Sequence, residues 1–316
     1  MSRWRNRKGI ALLLTLVIVG LLAASTIAFI RATHLEATVS ENLYAFTQAE
    51  IMAQSALQGA MVLLAQDDND YDALTEPWAQ FPQYAVAASG LFDEGGFTGT
   101  IEDLDSCFNP NFLVDQQGLY EPKRLEQLQR LFEILQIGPP PVDALLDWLD
   151  TDAVARPYGA EDDYYGSLPN PYPASNGRLN NPGQLFLIRG MDPEWLNGKD
   201  ERPGLLNFIT VWSDGRINVN TAGEIVLMSL DDTLTSTVVQ EIMAAREQAP
   251  FEKLDDLRNI SGLSPQAFSR ITSLITVKSS FFLIRAEGHF RQAVARVQAV
   301  VVRSGQGVQL IYYRAY

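Results

Sequence analysis

Apolar residues run without a charge from Ile10 to Ile30, behind a short basic stretch carrying Arg3, Arg5, Arg7, Lys8 and then Gly9. Wound as a helix at 1.5 Å per residue, the 21-residue run is roughly 31 Å long, the thickness of a bilayer's hydrocarbon core. It predicts a single membrane span with its basic end in the cytoplasm and everything after Arg31 exported. The pattern then changes without stopping. Leu35, Val39, Leu43, Phe46, Ala49, Ala53, Leu57, Ala60 and Leu64 recur at spacings of three and four, with Glu36, Glu41, Gln48 and Gln54 off the stripe. No Gly or Pro interrupts residues 21–58, so one helix is expected from Ile10 to about Ala65, roughly 84 Å long. Its first half is apolar all round; its second half is amphipathic and should pack on a globular head, with Gly59 its one weak point.

Beyond that rod the period alternates. Residues 97–114 alternate around Ile101, Leu104 and Phe108, which suggests strands with a bend at Asn109-Pro110. From Lys123 the spacing is helical again: Leu125, Leu128, Leu131, Phe132 and Leu135 lead to a stop at Gly138 and three prolines, and a second helix starts at Val142. Further helices are expected after Pro193, near 223–229, 236–247 and 265–275. Strands return at 281–287, 293–303 and 308–313, with turns at Gly288 and Gly305/Gly307. Strands, then helices, then strands imply a helical insertion within a sheet rather than two consecutive domains. The boundaries read as leader 1–9, span 10–30, first part of the head 31–122, insertion 123–275 and closing strands 276–316.

Composition narrows the function. The net charge is −14; Arg3, Arg5, Arg7 and Lys8 supply four positive charges, so the chain from Ile10 on carries −18. That disfavours nucleic acid and anionic membrane surfaces as partners and favours cations. The single Cys107 permits no internal disulfide. With two His, no zinc spacing, no phosphate loop and no nucleophile elbow, no enzyme is expected.

A secretory signal cut near Ala23-Ala24-Ser25 is the plainer reading of the N-terminus, but its apolar core is usually about 7 to 15 residues, and this helix does not stop where a cleavage site needs extended backbone. The run Arg7-Lys8-Gly9-Ile10-Ala11-Leu12-Leu13-Leu14-Thr15-Leu16 instead resembles a type IV pilin or pseudopilin precursor, cut between Gly9 and Ile10. Most members carry Glu at the fifth mature position, where this chain has Leu14. Three internal markers sharpen the resemblance: Asp-Trp-Leu-Asp-Thr-Asp at 147–152, Gly-Ala-Glu-Asp-Asp-Tyr-Tyr at 159–165 and Ile-Asn-Val-Asn-Thr-Ala at 217–222. Together they resemble the K subunit of type II secretion systems, a minor pseudopilin that also lacks that Glu.

The resemblance implies an α+β type IV pilin-like fold with a large inserted all-α domain, and a single-pass inner-membrane protein with a periplasmic head. It implies processing by a prepilin peptidase, methylation, and assembly with minor pseudopilins I and J, also H, and the major pseudopilin G. The expected role is to cap the tip of a periplasmic pseudopilus and help start its growth. The small positions Gly20, Ala23, Ala24 and Ala28 would let neighbouring helices approach closely. Two alternatives stand beside it: a minor pilin of a related type IV pilus, and a membrane-anchored helix-hairpin-helix binding module, since 251–275 resembles that motif. Residues 221–277 hold eight acids against four bases, which opposes DNA binding.

One stretch carries candidate chemistry. Asp147, Asp150, Asp152, Glu161, Asp162 and Asp163 crowd into 17 residues with Arg156 the one base. Mutual repulsion opposes compact packing unless a cation offsets it, and calcium takes six to eight oxygens from such loops. The resemblance also implies calcium in the inserted domain. The expected ligands are Asp150, Asp152, Glu161 and Asp162, with Asp163 as substitute; the rival reading is a solvated acidic loop with helix caps from Asp150 and Asp152. A second acidic run, Asp67 to Asp72, reads as a solvated loop ending the long helix.

Overall fold

The computed structural model describes residues 6–115, 117–138 and 141–316. Arg3 and Arg5 of the basic stretch, and two of the three prolines after Gly138, lie outside the described residues. The long rod is a single helix, α1 (Asn6–Gln66), which at 1.5 Å per residue extends roughly 90 Å. Gly59 does not break it. Every residue from Ile10 to Ile30 is exposed to the surroundings of the chain, as a helix meant for lipid requires.

A loop containing Trp78 leads to α2 (Phe81–Ser89) and then to β1 (Gly96–Asp103). The chain leaves the sheet there. Helices α3 (Pro122–Ile134), α4 (Val142–Leu149), α5 (Asp162–Gly166) and α6 (Pro193–Asn197) follow, then a two-residue hairpin of β2 (Gly198–Lys199) and β3 (Arg202–Pro203). Next come β4 (Ile217–Asn218), α7 (Glu224–Ser229), α8 (Ser236–Gln248), α9 (Pro265–Ile271) and β5 (Ile275–Thr276), with β4 and β5 paired in parallel. The chain rejoins the sheet as β6 (Phe281–Phe290), β7 (Ala293–Ser304) and β8 (Gly307–Ala315). The sheet order is β1-β6-β7-β8, antiparallel throughout.

Helix α1 lies across this sheet. Ala49, Ala53, Ala56, Leu57, Ala60 and Leu64 bury one face against Phe282, Ile284, Val297, Ala299 and Val301. The small residues let helix and sheet come close. Gly288 is the extreme case: a Cβ there would fall 2.0 Å from the carbonyl oxygen of Ala49. The expectation of a turn at Gly288 is therefore wrong. It sits inside β6 between Phe97 and Ala295, and the turn falls at Arg291-Gln292, with Arg291 in the left-handed region at φ 54°.

Three other expectations need correction. The apolar stripe is buried only from Ala49 upward; Leu35, Val39, Leu43 and Phe46 are exposed, because among the described residues no strand underlies that part of the helix. The strand expected to run to Val114 stops at Asp103. Asp103 and Asn109 each accept a hydrogen bond from the backbone two residues on (Asp105 N, 2.8 Å; Asn111 N, 3.0 Å), and these local bonds set two short 3-10 turns instead of a ladder. The loop after α1 is not simply solvated: Asp67 and Asp72 are both held by the Arg303 guanidinium of β7, and Asp72 is fully buried.

Residues 104–280 form two helical lobes with separate apolar cores. One is built on Phe108, Leu128, Phe132, Leu145, Trp148 and Leu205, the other on Val219, Leu227, Val239, Ile242, Phe268 and Ile275. Arg130 of α3 joins them by donating to the carbonyls of Ser229 and Leu230, each at 2.9 Å, at the C-terminal end of α7 where helix carbonyls are free.

Candidate functional site

The acidic stretch is assembled by the end of α4 and the loop that runs to α5. Helix α4 buries Asp147, Trp148 and Leu149 together, and Asp150 is its C-terminal cap residue. The loop doubles back through Gly159, whose missing side chain makes room: a Cβ there would lie 1.8 Å from Asp147 Oδ2. Glu161 then precedes α5 with its carboxylate buried. Trp148 and Tyr165 pack edge to face at 5.2 Å and give the site an apolar floor.

One ligand oxygen from each of Asp150, Asp152 and Glu161 lies within 4.8 Å of the others. Arg156 reaches only part of this charge. Its Nη1 donates to Asp147 Oδ1 at 2.6 Å and to Asp150 Oδ2 at 2.5 Å. Asp150 Oδ1 and both Glu161 oxygens are buried with no hydrogen-bond partner among the described residues. Burial pushes the Glu161 carboxyl up to about 7, and Asp147, Asp150 and Asp152 add to the effect; burial also raises Asp150, against the pull of Arg156. Buried carboxylate oxygens without partners are expensive unless a cation meets them, so this donor set of hard oxygens fits calcium.

Of the four expected ligands, the structure brings Asp150, Asp152 and Glu161 together and does not bring Asp162 with them. Asp162 is exposed, and its Oδ1 accepts the backbone N–H of Ala174 at 2.7 Å, fixing the facing loop. Asp163 is exposed as well. Asp147 and Arg156 were visible in the sequence as members of the crowd. Their pairing was not, because it depends on how the loop after Asp150 folds back to bring Arg156 against Asp147.

The other marked positions fall elsewhere. Gly9, Ile10, Leu14 and Gly20 line the free part of α1, and a Cβ at Gly9 or Gly20 would meet nothing within 4 Å. The Ile217–Ala222 marker forms a buried polar joint. Asn218 Nδ2 donates to Asp72 O, Asp103 Oδ2 and Ser279 Oγ, and Thr221 Oγ1 and Ser279 Oγ donate to the same Asp103 oxygen, at 2.5 and 2.6 Å. This joint stands where the chain leaves the sheet, at the end of α1 furthest from the span. Sequence reasoning marked its residues without finding their use.

Comparison with known proteins agrees along the whole chain. Residues 106–200 and 217–278 match family profiles described as type II secretion system (T2SS), protein K. The chain is 27% identical to the type II secretion system protein K of Aeromonas hydrophila, over 99% of this chain and 98% of that one. It is 30% identical to the corresponding Klebsiella pneumoniae protein, over 68% of this chain and 67% of that one. Its fold is similar to a chain in the crystal structure of the GspK-GspI-GspJ complex from enterotoxigenic Escherichia coli, with TM-score 0.67, 21% identity, and 90% and 99% of the two chains covered.

Proposed function

The chain belongs to the type II secretion system protein K family, a family of minor pseudopilins, and on that premise we propose that it is the tip subunit of a periplasmic pseudopilus. One observation carries the reading. The bulky helical lobes leave and rejoin the sheet at the end of α1 furthest from the span, where Asp72 N donates to Val277 O at 2.8 Å. A subunit so crowned offers no open surface above its head for another pilin-like subunit to stack on. Leu14 agrees: a carboxylate inside an apolar span is costly without a partner, and a subunit with nothing stacked beyond it has no use for one.

In this reading α1 is first an anchor, N-terminus in the cytoplasm and head in the periplasm, and later the stalk of the outermost subunit. A prepilin peptidase cuts between Gly9 and Ile10, and the new N-terminus is methylated. Minor pseudopilins I and J, then H and the major pseudopilin G, cover the free apolar face of α1. The role is organisational rather than catalytic. Asp150, Asp152 and Glu161 would hold calcium, which would offset their repulsion and stiffen the first lobe; the orphaned buried oxygens support this.

Immunogold labelling of assembled pseudopili against the helical lobes tests the proposal. Gold at one end of each filament is expected; gold along the length overturns it. Mass spectrometry of the mature chain should find an N-terminus at Ile10, and one near Thr26 contradicts the processing assignment.

A further inference from the structure

We propose that the cleft between the two helical lobes is a binding site for an acidic, partly apolar peptide segment of another chain, with Arg178 as its carboxylate-binding group. The cleft has a volume of about 650 Å³, within the range of ligand sites. Phe112 of the first lobe and Leu274 of the second face it from either side.

The cleft lining carries one net positive charge, three cations to two acids, in an acidic protein. Arg124 and Arg178 both place their guanidinium groups over the Phe112 ring, at 5.3 and 5.0 Å from its centre. The ring is held in turn by Gly215, at φ +84°, where a Cβ would come within 2.6 Å of it. Arg124 donates to the Gly215 carbonyl, and Lys123 Nζ donates across the cleft to Arg270 O at 3.0 Å and more weakly to Ser273 Oγ at 3.4 Å. Among the described residues none of these three cations takes part in an ion pair, although the chain holds 38 acids to 24 bases. Burial lowers the basicity of Arg124 by more than the nearby carboxylates of Glu121 and Asp214 restore it.

The walls select the ligand. Val114, Leu149 and Leu274 are apolar and suit an aliphatic side chain. Two acids also line the cleft. Asp115 is committed to its own loop, accepting from the backbone of Gln117 and Leu119 at 2.8 and 2.9 Å, and Glu121 is the residue before α3. A bare phosphate or a nucleic acid backbone would leave the apolar walls uncovered, whereas a segment carrying both aliphatic side chains and a carboxylate meets walls and cation together. A single carboxylate can approach the exposed edge of Arg178 in a two-bond fork. The cleft adjoins the calcium ligands through Leu149 and Thr151, although neither Asp150 nor Asp152 lines it, and it does not depend on the subunit standing at a tip.

The test uses the full-length chain in detergent and a fluorescein-labelled hexapeptide of alternating Leu and Glu, followed by anisotropy. Saturable binding with a Kd of about 100 μM or tighter is expected. Arg178→Glu should weaken it at least about tenfold, the loss of one charge-assisted pair, while Arg178→Lys, which keeps the charge, should weaken it less. Arg178 is exposed, so both variants should melt like the parent chain. No saturable binding up to about 1 mM, equal binding by Arg178→Glu, or equal binding of the Gln-for-Glu peptide overturns the proposal. Displacement of the peptide by inorganic phosphate at about its own concentration overturns it too, by making the cleft an anion site without peptide preference.

Discussion

Asn218 donates from Nδ2 to Asp103 Oδ2 at 3.2 Å, and so fastens the second helical lobe to the last residue of the first strand. Asp103 is fully buried, and burial raises its carboxyl despite the hydroxyls of Ser279 and Thr221. At this joint the loop after α1, the sheet and the insertion share one set of hydrogen bonds. Replacing Asn218 by Ala removes the two N–H donors that three buried acceptors share and should cost about 3 kcal/mol. Urea unfolding of the variant measures it, and a change under about 0.5 kcal/mol would mean that the lobes are held by apolar contact alone.

Gly288 admits no side chain. Gly288→Ala drives a methyl into the backbone of Ala49 in α1, and the helix must lift from the sheet. A loss of about 3 kcal/mol or more is expected, with aggregation at modest temperature. Gly305, where a Cβ meets nothing within 4 Å, provides the control. Gly305→Ala should leave the melting temperature unchanged; equal damage from both would refute the close-approach explanation.

Glu161→Gln separates the calcium site from a merely solvated loop. In chelator the variant should melt higher than the parent, because it removes a buried, mutually repelled carboxylate. On adding calcium the parent should gain stability and the variant should gain little. A parent whose melting temperature ignores calcium and chelator alike would exclude the site.

Arg270 grips Asp231 with two bonds, Nε to Oδ2 at 2.6 Å and Nη2 to Oδ1 at 2.7 Å, and so clamps α9 to the end of α7. Chiefly through that pair, the Asp231 carboxyl is held well below its usual 3.8. A depressed carboxyl pKa contributes stability above the unfolded value and loses it as pH falls toward the folded one. Arg270→Ala should therefore melt lower than the parent at pH 7, and the gap should narrow steadily below about pH 4. A gap that stays constant down to about pH 2 would show that packing rather than charge carries the effect.

Much of this molecule could be read along the chain because its signals are local. The unbroken apolar run, the 3.6-residue period in α3, α4 and α8, and the alternation of β6 to β8 each depend on neighbours within a turn or two. The acidic crowd at 147–163 was visible for the same reason, as composition in a short window. Two of the misplaced features depend on distant partners. Gly288 reads as a turn until α1 is laid upon it. Asp72 reads as solvated until Arg303, more than two hundred residues later, is brought to it.

A membrane-length rod, a sheet interrupted by helices and an excess of acid in one loop are all written in the order of the residues. Those follow from hydrophobic period and charge, which every residue carries with it. Which carboxylates face one another, where the sheet stops beneath the rod, and that three cations share a cleft in an acidic chain came from the folded molecule. Each of these is set by contacts between residues far apart in sequence, and burial changes what such a contact is worth by removing water from it.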